Sequence, residues 1–224
     1  MNIDSIILTS LIDYPGNVAC TIFTSGCNYD CWYCHNKKLI SNVKNNINEA
    51  ELFDKLAERR EFLDGVVICG GEPTLQPDLV LFIAKVKALG LKVKLDTNGS
   101  NPHIIRDLLD KNMLDYIAVD IKAPFSKYAV IIGESVATEK VKESIDIVMS
   151  SGIAYEFRTT FSPDLLIDDI EEIAKGVAGA KVYFVQQFVV PEHLLGSGIK
   201  PHSPDIFDIA VERAAKHVPA YRRG

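Results

Sequence analysis

An α/β fold built from repeated strand–helix units is the class this sequence predicts. Short apolar runs of strand length alternate six times with segments of helical period. Gly65, Gly90 and Gly152 each follow a helical run, and no composition break or flexible linker interrupts the 224 residues. Such alternation gives βαβ units and a parallel sheet. Eight units need roughly 250 residues to close a full barrel. Six units in this length therefore predict an open, three-quarter barrel in a single domain, residues 1–224. A doubly wound open sheet fits the same alternation, and periodicity alone does not separate the two.

Taken in order, residues 6–11 are apolar with Thr9 and Ser10, and Asp13-Tyr14-Pro15-Gly16 makes a turn. Residues 18–23 form the first strand, a cysteine loop follows, and the polar stretch 41–48 reads as exposed loop. Asn48 with Glu51 resembles a capping box, and Leu52, Phe53, Leu56 and Leu63 share one helical face. Residues 66–69 are a continuous apolar run, as in a strand covered on both faces. The next helix has Pro77 near its first turn and Leu79, Phe82, Ile83 and Val86 inward. A strand at 91–95 leads to a helix opened by Asn101-Pro102, with Ile104, Ile105, Leu108 and Leu109 on one face. Then come a strand at 116–119, a helix at 138–150 with Val141, Ile145 and Val148 inward, and a strand at 153–160. Asp168 with Glu171 is expected to cap a helix carrying Ile170, Ile173 and Ala174. A strand at 181–190 and a last helix from Ser203-Pro204 complete the series.

Composition narrows the function classes. Hydrophobic content of 47% and charged content of 24% are those of an ordinary globular protein. A net charge of -6 and a pI near 5.4 argue against a broad nucleic-acid-binding face. No apolar run is long enough to cross a bilayer, and the first residues lack the basic start of a secretory signal. A cytoplasmic protein with no membrane partner is expected. Five cysteines in such a chain argue for reduced thiols and metal, not disulfides.

The chemistry concentrates in Cys27-Asn28-Tyr29-Asp30-Cys31-Trp32-Tyr33-Cys34. Three thiols on one short loop can converge on a soft metal centre, because thiolate selects zinc, copper(I) or iron–sulfur. A structural zinc site or a closed cubane normally has four protein ligands, so three leave one position open for reaction. The residues alone also permit a zinc site completed by His35, Cys20, Cys69 or a more distant group. In a parallel α/β fold, function gathers at the C-terminal strand ends. The residues there are the cysteine loop, Gly70-Gly71-Glu72-Pro73, Asp96-Thr97-Asn98-Gly99, and Asp120 with Lys122; Arg158 and Gln186-Gln187 lie on the last two strands. Glycines let backbone approach a ligand, and the rim as a whole suits a polar, charged cofactor. Ion pairs among the rim residues are the plainer reading of the charged positions.

The spacing of Cys27, Cys31 and Cys34, with an aromatic Tyr33 before the last cysteine, resembles the radical S-adenosylmethionine family. The resemblance implies a 4Fe–4S cluster on Cys27, Cys31 and Cys34, with S-adenosylmethionine chelated by the fourth iron. It assigns Gly70, Gly71 and Glu72 to the cofactor's amino group, and Lys122 either to its carboxylate or to offsetting the acidic residues beside it. Arg158 can serve the same end, since its fork matches a carboxylate, and Trp32 and Tyr33 shield the cluster, lie near the adenine or simply pack. Asp96-Thr97-Asn98-Gly99 and Asp120-Ile121-Lys122 resemble the glycyl-radical-enzyme activating enzymes, where Asp96, Thr97 and Asp120 would shape a monovalent-cation site. Leu11-Ile12-Asp13-Tyr14-Pro15-Gly16, Cys34-His35-Asn36, the run from Lys94 to Pro102 and Tyr155-Glu156-Phe157-Arg158-Thr159-Thr160 resemble the anaerobic ribonucleoside-triphosphate reductase activating branch. The implied activity is reductive cleavage of S-adenosylmethionine and formation of a glycyl radical on a partner enzyme, with reduced flavodoxin or ferredoxin as electron donor. No cysteine-rich insert with further clusters is present. Cys20 and Cys69 are expected as buried small hydrophobes. His103, His193, His202 and His217 are read as surface or structural, and His35 as tuning the cluster. Two other readings stand beside this one: a radical enzyme acting on a small molecule, as in deazapurine synthesis, and a non-catalytic zinc or redox module.

Overall fold

The computed structural model describes residues 1–41, 47–133 and 137–224. Most of the predicted loop at 41–48 lies outside the described residues. The chain runs β1 (Ile3–Ser10), β2 (Ala19–Thr24), α1 (Glu49–Glu58), β3 (Gly65–Gly70), α2 (Leu79–Ala88), β4 (Lys92–Thr97) and α3 (Pro102–Asp110). It continues with β5 (Tyr116–Asp120), α4 (Tyr128–Ile132), α5 (Thr138–Ser150), β6 (Ala154–Phe161), α6 (Ile167–Gly176), β7 (Tyr183–Gln187), α7 (Pro204–Ala214) and β8 (Ala220–Arg223). All eight strands form one sheet in sequence order, with β1 and β8 as its edges. Strands β2 to β8 are mutually parallel, and β1 pairs antiparallel with β2. The sheet is the open barrel the alternation predicts, and its strand order does not reverse as in a doubly wound sheet.

Period-two alternation sorts side chains between two environments. Cys20 and Ile22, Val66 and Ile68, Val93 and Leu95, Ile117 and Val119 point outward into the core. There they meet Leu52 and Leu56 of α1, Phe82, Ile83 and Val86 of α2, Ile105 and Leu108 of α3, and Val141 and Val148 of α5. The opposite set faces the lumen, where Thr21, Phe23, Val67, Cys69, Asp96, Asp120, Arg158 and Thr160 line one cavity. Cys20 is fully buried as expected. Cys69 differs: it pairs with Phe23 across the ladder and so shares the lumen face.

The element ends mostly follow local chemistry. Asn48 caps α1 by accepting from the Ala50 N–H at 2.9 Å, and Ser203 accepts from the Ile206 N–H at α7. At α6 the cap is not Asp168. The helix begins at Ile167, and the Asp169 carboxylate reaches back to the Leu166 N–H at 2.7 Å. Pro77 precedes α2, and Leu63 lies beyond the end of α1. Two strands have no counterpart in the six-unit reading. β1 buries only its two end residues, with half-buried and exposed residues alternating between them, and β8 is four residues long with two arginines.

Candidate active site

The C-terminal ends of β2 to β7 surround a cavity of about 470 Å³. Cys27, Cys31 and Cys34 line one wall, and Gly70, Gly71, Asp96, Thr97, Asn98, Asp120, Lys122 and Arg158 line the rest. Every predicted site residue except Glu72 and Trp32 is therefore brought to one space.

The cysteine loop folds back on itself after β2. The Gly26 N–H donates to Leu39 O at 2.7 Å, the Cys27 N–H to Ile40 O at 3.3 Å, and the Cys34 N–H to Cys31 O at 3.0 Å. Cys31 is buried; Cys27 and Cys34 are half-buried. Burial pushes the Cys27 thiol up to about 11 despite the Tyr29 N–H that faces its sulfur, and burial likewise raises Cys31, with Lys122 opposing. Among the described residues no three Cys, His, Asp or Glu side chains converge closely enough to hold a single metal ion. Three thiols on one wall are a donor set that suits a cluster in which each cysteine binds its own iron. Trp32 and Tyr33 pack with Phe188, at ring separations of 5.7 and 6.3 Å. Tyr29 also lines the cavity, and its hydroxyl is buried with no hydrogen-bond partner among the described residues.

Gly70 and Gly71 turn against the start of this loop. The Gly71 N–H donates to Thr24 O and the Glu72 N–H to Gly26 O, both at 2.8 Å. A Cβ on Gly71 would stand 2.2 Å from Gly26 O, so only glycine permits the approach. Glu72 lies behind the wall, fully buried. Its Oε1 accepts from the Thr74 N–H at 3.1 Å, the Thr74 hydroxyl and the Thr97 hydroxyl at 2.7 Å; its Oε2 accepts from the Asn98 N–H at 2.7 Å. These bonds tie Glu72 to the Thr74 and Thr97–Asn98 turns behind the Gly70-Gly71 wall. Burial pushes its carboxyl up, against hydrogen bonds that pull it down.

The opposite wall is an ion network. Arg158 bridges two carboxylates, Nε to Asp120 at 2.7 Å and Nη1 to Asp96 at 3.0 Å. Lys122 pairs with Asp120 at 3.0 Å and Lys94 with Asp96. Burial opposes the charge on Asp120, but Arg158 and Lys122 outweigh it and hold the carboxyl well below the usual range. The network continues to buried Glu156, which takes Arg223 of β8 bidentately at 2.7 and 2.8 Å and the Tyr116 hydroxyl at 2.9 Å. The plainer reading of the rim charges as ion pairs is thus part of the picture.

The sequence reading missed Lys94, Glu156, Asp13 and Tyr29. The first two stand two residues before Asp96 and Arg158, hence on the same strand face, and that spacing was the available signal. Asp13 lines the cavity and accepts from the Thr21 hydroxyl at 2.7 Å. His35 is exposed at the cavity mouth, and His193 contacts the cysteine loop through Trp32 O at 3.0 Å. His202 lies within 3.1 Å of Ser162 O and 3.0 Å of Leu165 O and stacks on Phe161, a structural role.

Comparison with known proteins agrees with this geometry. The pattern of the Radical SAM superfamily matches residues 21–177, from within β2 to just past α6. The chain belongs to that family. It is 39% identical over 193 residues to a protein of Methanocaldococcus jannaschii named as a glycyl-radical enzyme activating enzyme, covering 83% of this chain and 79% of that one. It is 34% identical over 125 residues to the pyruvate formate-lyase-activating enzyme of Listeria monocytogenes, covering 50% of this chain and 49% of that protein. The crystal structure of QueE from Escherichia coli superposes with a TM-score of 0.60 at 15% identity, over 99% of this chain and 92% of that one. Membership implies a 4Fe–4S cluster and S-adenosylmethionine, and the three thiols and the charged cavity fit both. No helix among the described residues is long and apolar enough to cross a membrane.

Proposed function

We propose that this protein binds a 4Fe–4S cluster on Cys27, Cys31 and Cys34, cleaves S-adenosylmethionine reductively, and makes a glycyl radical on a partner enzyme. The observation that carries the reading is one cavity with three thiols on one wall and the Gly70-Gly71 backbone and Lys122–Asp120–Arg158–Asp96 network on the others. Likeness to the M. jannaschii protein supports the partner class. Held by Cys27, Cys31 and Cys34, the cluster would supply the electron for reductive cleavage of S-adenosylmethionine, and the pair would supply the hydrogen-atom abstraction from a glycine of the partner.

The protein's own groups position the reactants. The Gly70-Gly71 backbone meets the amino group, supported from behind by Glu72, Thr97 and Asn98. Lys122 and Arg158 are the cations for the carboxylate, and a guanidinium held on two sides is already oriented to receive it. Tyr33 offers its ring to the adenine. A monovalent cation at Asp96, Thr97 and Asp120 belongs to the same proposal, and it would have to share both carboxylates with Arg158. Reduced flavodoxin or ferredoxin is the proposed electron donor, and the cytoplasm the proposed compartment.

The test is electron paramagnetic resonance on anaerobically reconstituted, reduced protein, with and without S-adenosylmethionine, followed by incubation with a glycyl-radical enzyme. A cluster signal that changes on adding S-adenosylmethionine, and then a radical signal on the partner, are expected. A cluster indifferent to S-adenosylmethionine would remove the mechanism. Cofactor cleavage that never yields a radical on any such partner would leave a small-molecule reaction in its place.

A further inference from the structure

Side chains in and behind the cavity wall join three loops into one unit. Asn98 Nδ2 donates to Asn28 Oδ1 at 2.9 Å, and Asn28 Nδ2 donates to Ser100 Oγ at 2.9 Å. The Ser100 N–H returns to Asn98 Oδ1 at 3.0 Å and closes the ring. The ring is anchored on Glu72, whose Oε2 accepts from the Asn98 N–H. The loops after β2, β3 and β4 are thereby cross-linked, although Asn28 lies 70 and 72 residues from its two partners. At its base the cysteine loop holds itself through Leu39 O and Ile40 O, and Ile131 O receives the Trp32 N–H. Asn28 directly follows Cys27, the thiol nearest that base.

We propose that Asn28 is a positioning residue, fixing the Cys27 end of the cysteine loop to the Asn98–Ser100 turn so that the three thiols are in place before a cluster enters. The inference rests on reading those thiols as cluster ligands, but the tie itself is a property of the protein without a cluster. Its chemistry is specific. The position must accept from Asn98 and engage the Ser100 hydroxyl. Alanine does neither. Aspartate does both, because a serine hydroxyl that accepts from an amide can instead donate to a carboxylate.

Trp32, the sole tryptophan of the chain, sits in this loop and reports on it. Fluorescence anisotropy of Trp32 in the apoprotein, and the rate of iron loss to a chelator from the reconstituted protein, test the proposal together. Asn28→Ala should lower the anisotropy and speed iron loss about thirtyfold, the shift in loop opening that two ordinary hydrogen bonds control. Asn28→Asp should stay near wild type in both, and Ser100→Ala, which removes one bond, should fall between. If Asn28→Ala matches wild type, or if Asn28→Asp behaves like Asn28→Ala, the tie is not what holds the loop. Lower anisotropy with unchanged iron loss would overturn the link to the thiols. A wild-type protein that takes up no iron and sulfide would refute the function proposed above, while the apoprotein anisotropy would still decide the tie.

Discussion

Gly71 and Gly90 are both turn glycines, and replacing each by alanine separates two ways in which a glycine is required. At Gly90 an added Cβ meets nothing within 4 Å, but φ is +78°. The cost there is backbone conformation alone, about 1–2 kcal/mol for an L-residue in the left-handed region. At Gly71 the cost is steric: the Cβ would lie 2.2 Å from Gly26 O, where ordinary contact begins at 3.4 Å. Relief needs a displacement of about 1 Å between the Gly-Gly turn and the base of the cysteine loop, with an overpacking cost of about 1–3 kcal/mol. A displacement of that size at a binding wall is enough to lower turnover about a hundredfold. Urea unfolding of the apoproteins should show both variants destabilised by comparable amounts. Titration of the reduced cluster signal with S-adenosylmethionine should then separate them, Gly90→Ala binding as wild type and Gly71→Ala weakly. Equal, undiminished binding by Gly71→Ala would refute the account of why a glycine stands against Gly26.

Other outcomes follow from the same geometry. Cys31→Ala should leave the fold intact by circular dichroism yet fail to give a cluster signal that responds to S-adenosylmethionine. Arg158→Met leaves the half-buried Asp96 and Asp120 to Lys94 and Lys122 alone, so a loss of about 1.5–3 kcal/mol, that of hydrogen bonds to charged groups, is expected in urea unfolding. Arg158→Lys should recover little of it, since one ammonium does not reproduce the fork that bridges Asp96 and Asp120. For Glu156, burial opposes the charge but Arg223 and Arg158 lower the folded value below the ordinary one. Its contribution is therefore present above the unfolded value of about 4.3 and lost as pH falls through the folded value. The stability gap between wild type and Arg223→Met should accordingly narrow as the pH is taken from 7 to below about 4, read by urea unfolding at each pH; a constant gap would count against the pair.

Much of the barrel is legible in the sequence because each inner strand is a buried apolar run and each helix carries a one-sided stripe. The 66–69 run and the stripe Leu79, Phe82, Ile83, Val86 occur where the pattern puts them. The edges are not legible in the same way. β8 is Ala-Tyr-Arg-Arg, held by backbone pairing to β7 and by Arg223 on Glu156 and on the Phe184 ring, 3.6 Å from its centroid. Such contacts lie far apart in sequence and leave no periodic trace. The site splits along the same line. Cys27, Cys31 and Cys34 declare themselves by spacing alone. Whether Glu72 faces a ligand or the protein depends on where Thr97 and Asn98 come to rest, and Cys69 changes environment through ladder register with Phe23.

The lumen of this barrel is held by Lys94, Asp96, Arg158, Asp120, Lys122, Glu156 and Arg223 in place of the layered branched aliphatics of a closed barrel. Heat weakens the hydration that such charges give up on folding, so the penalty for burying them declines as temperature rises. The outer, apolar layer moves the same way, because its driving force fades on cooling. The two layers therefore respond to temperature with the same sign. Chilling weakens the charged wall around the cavity together with the apolar contacts by which the helices hold the strands in their curve.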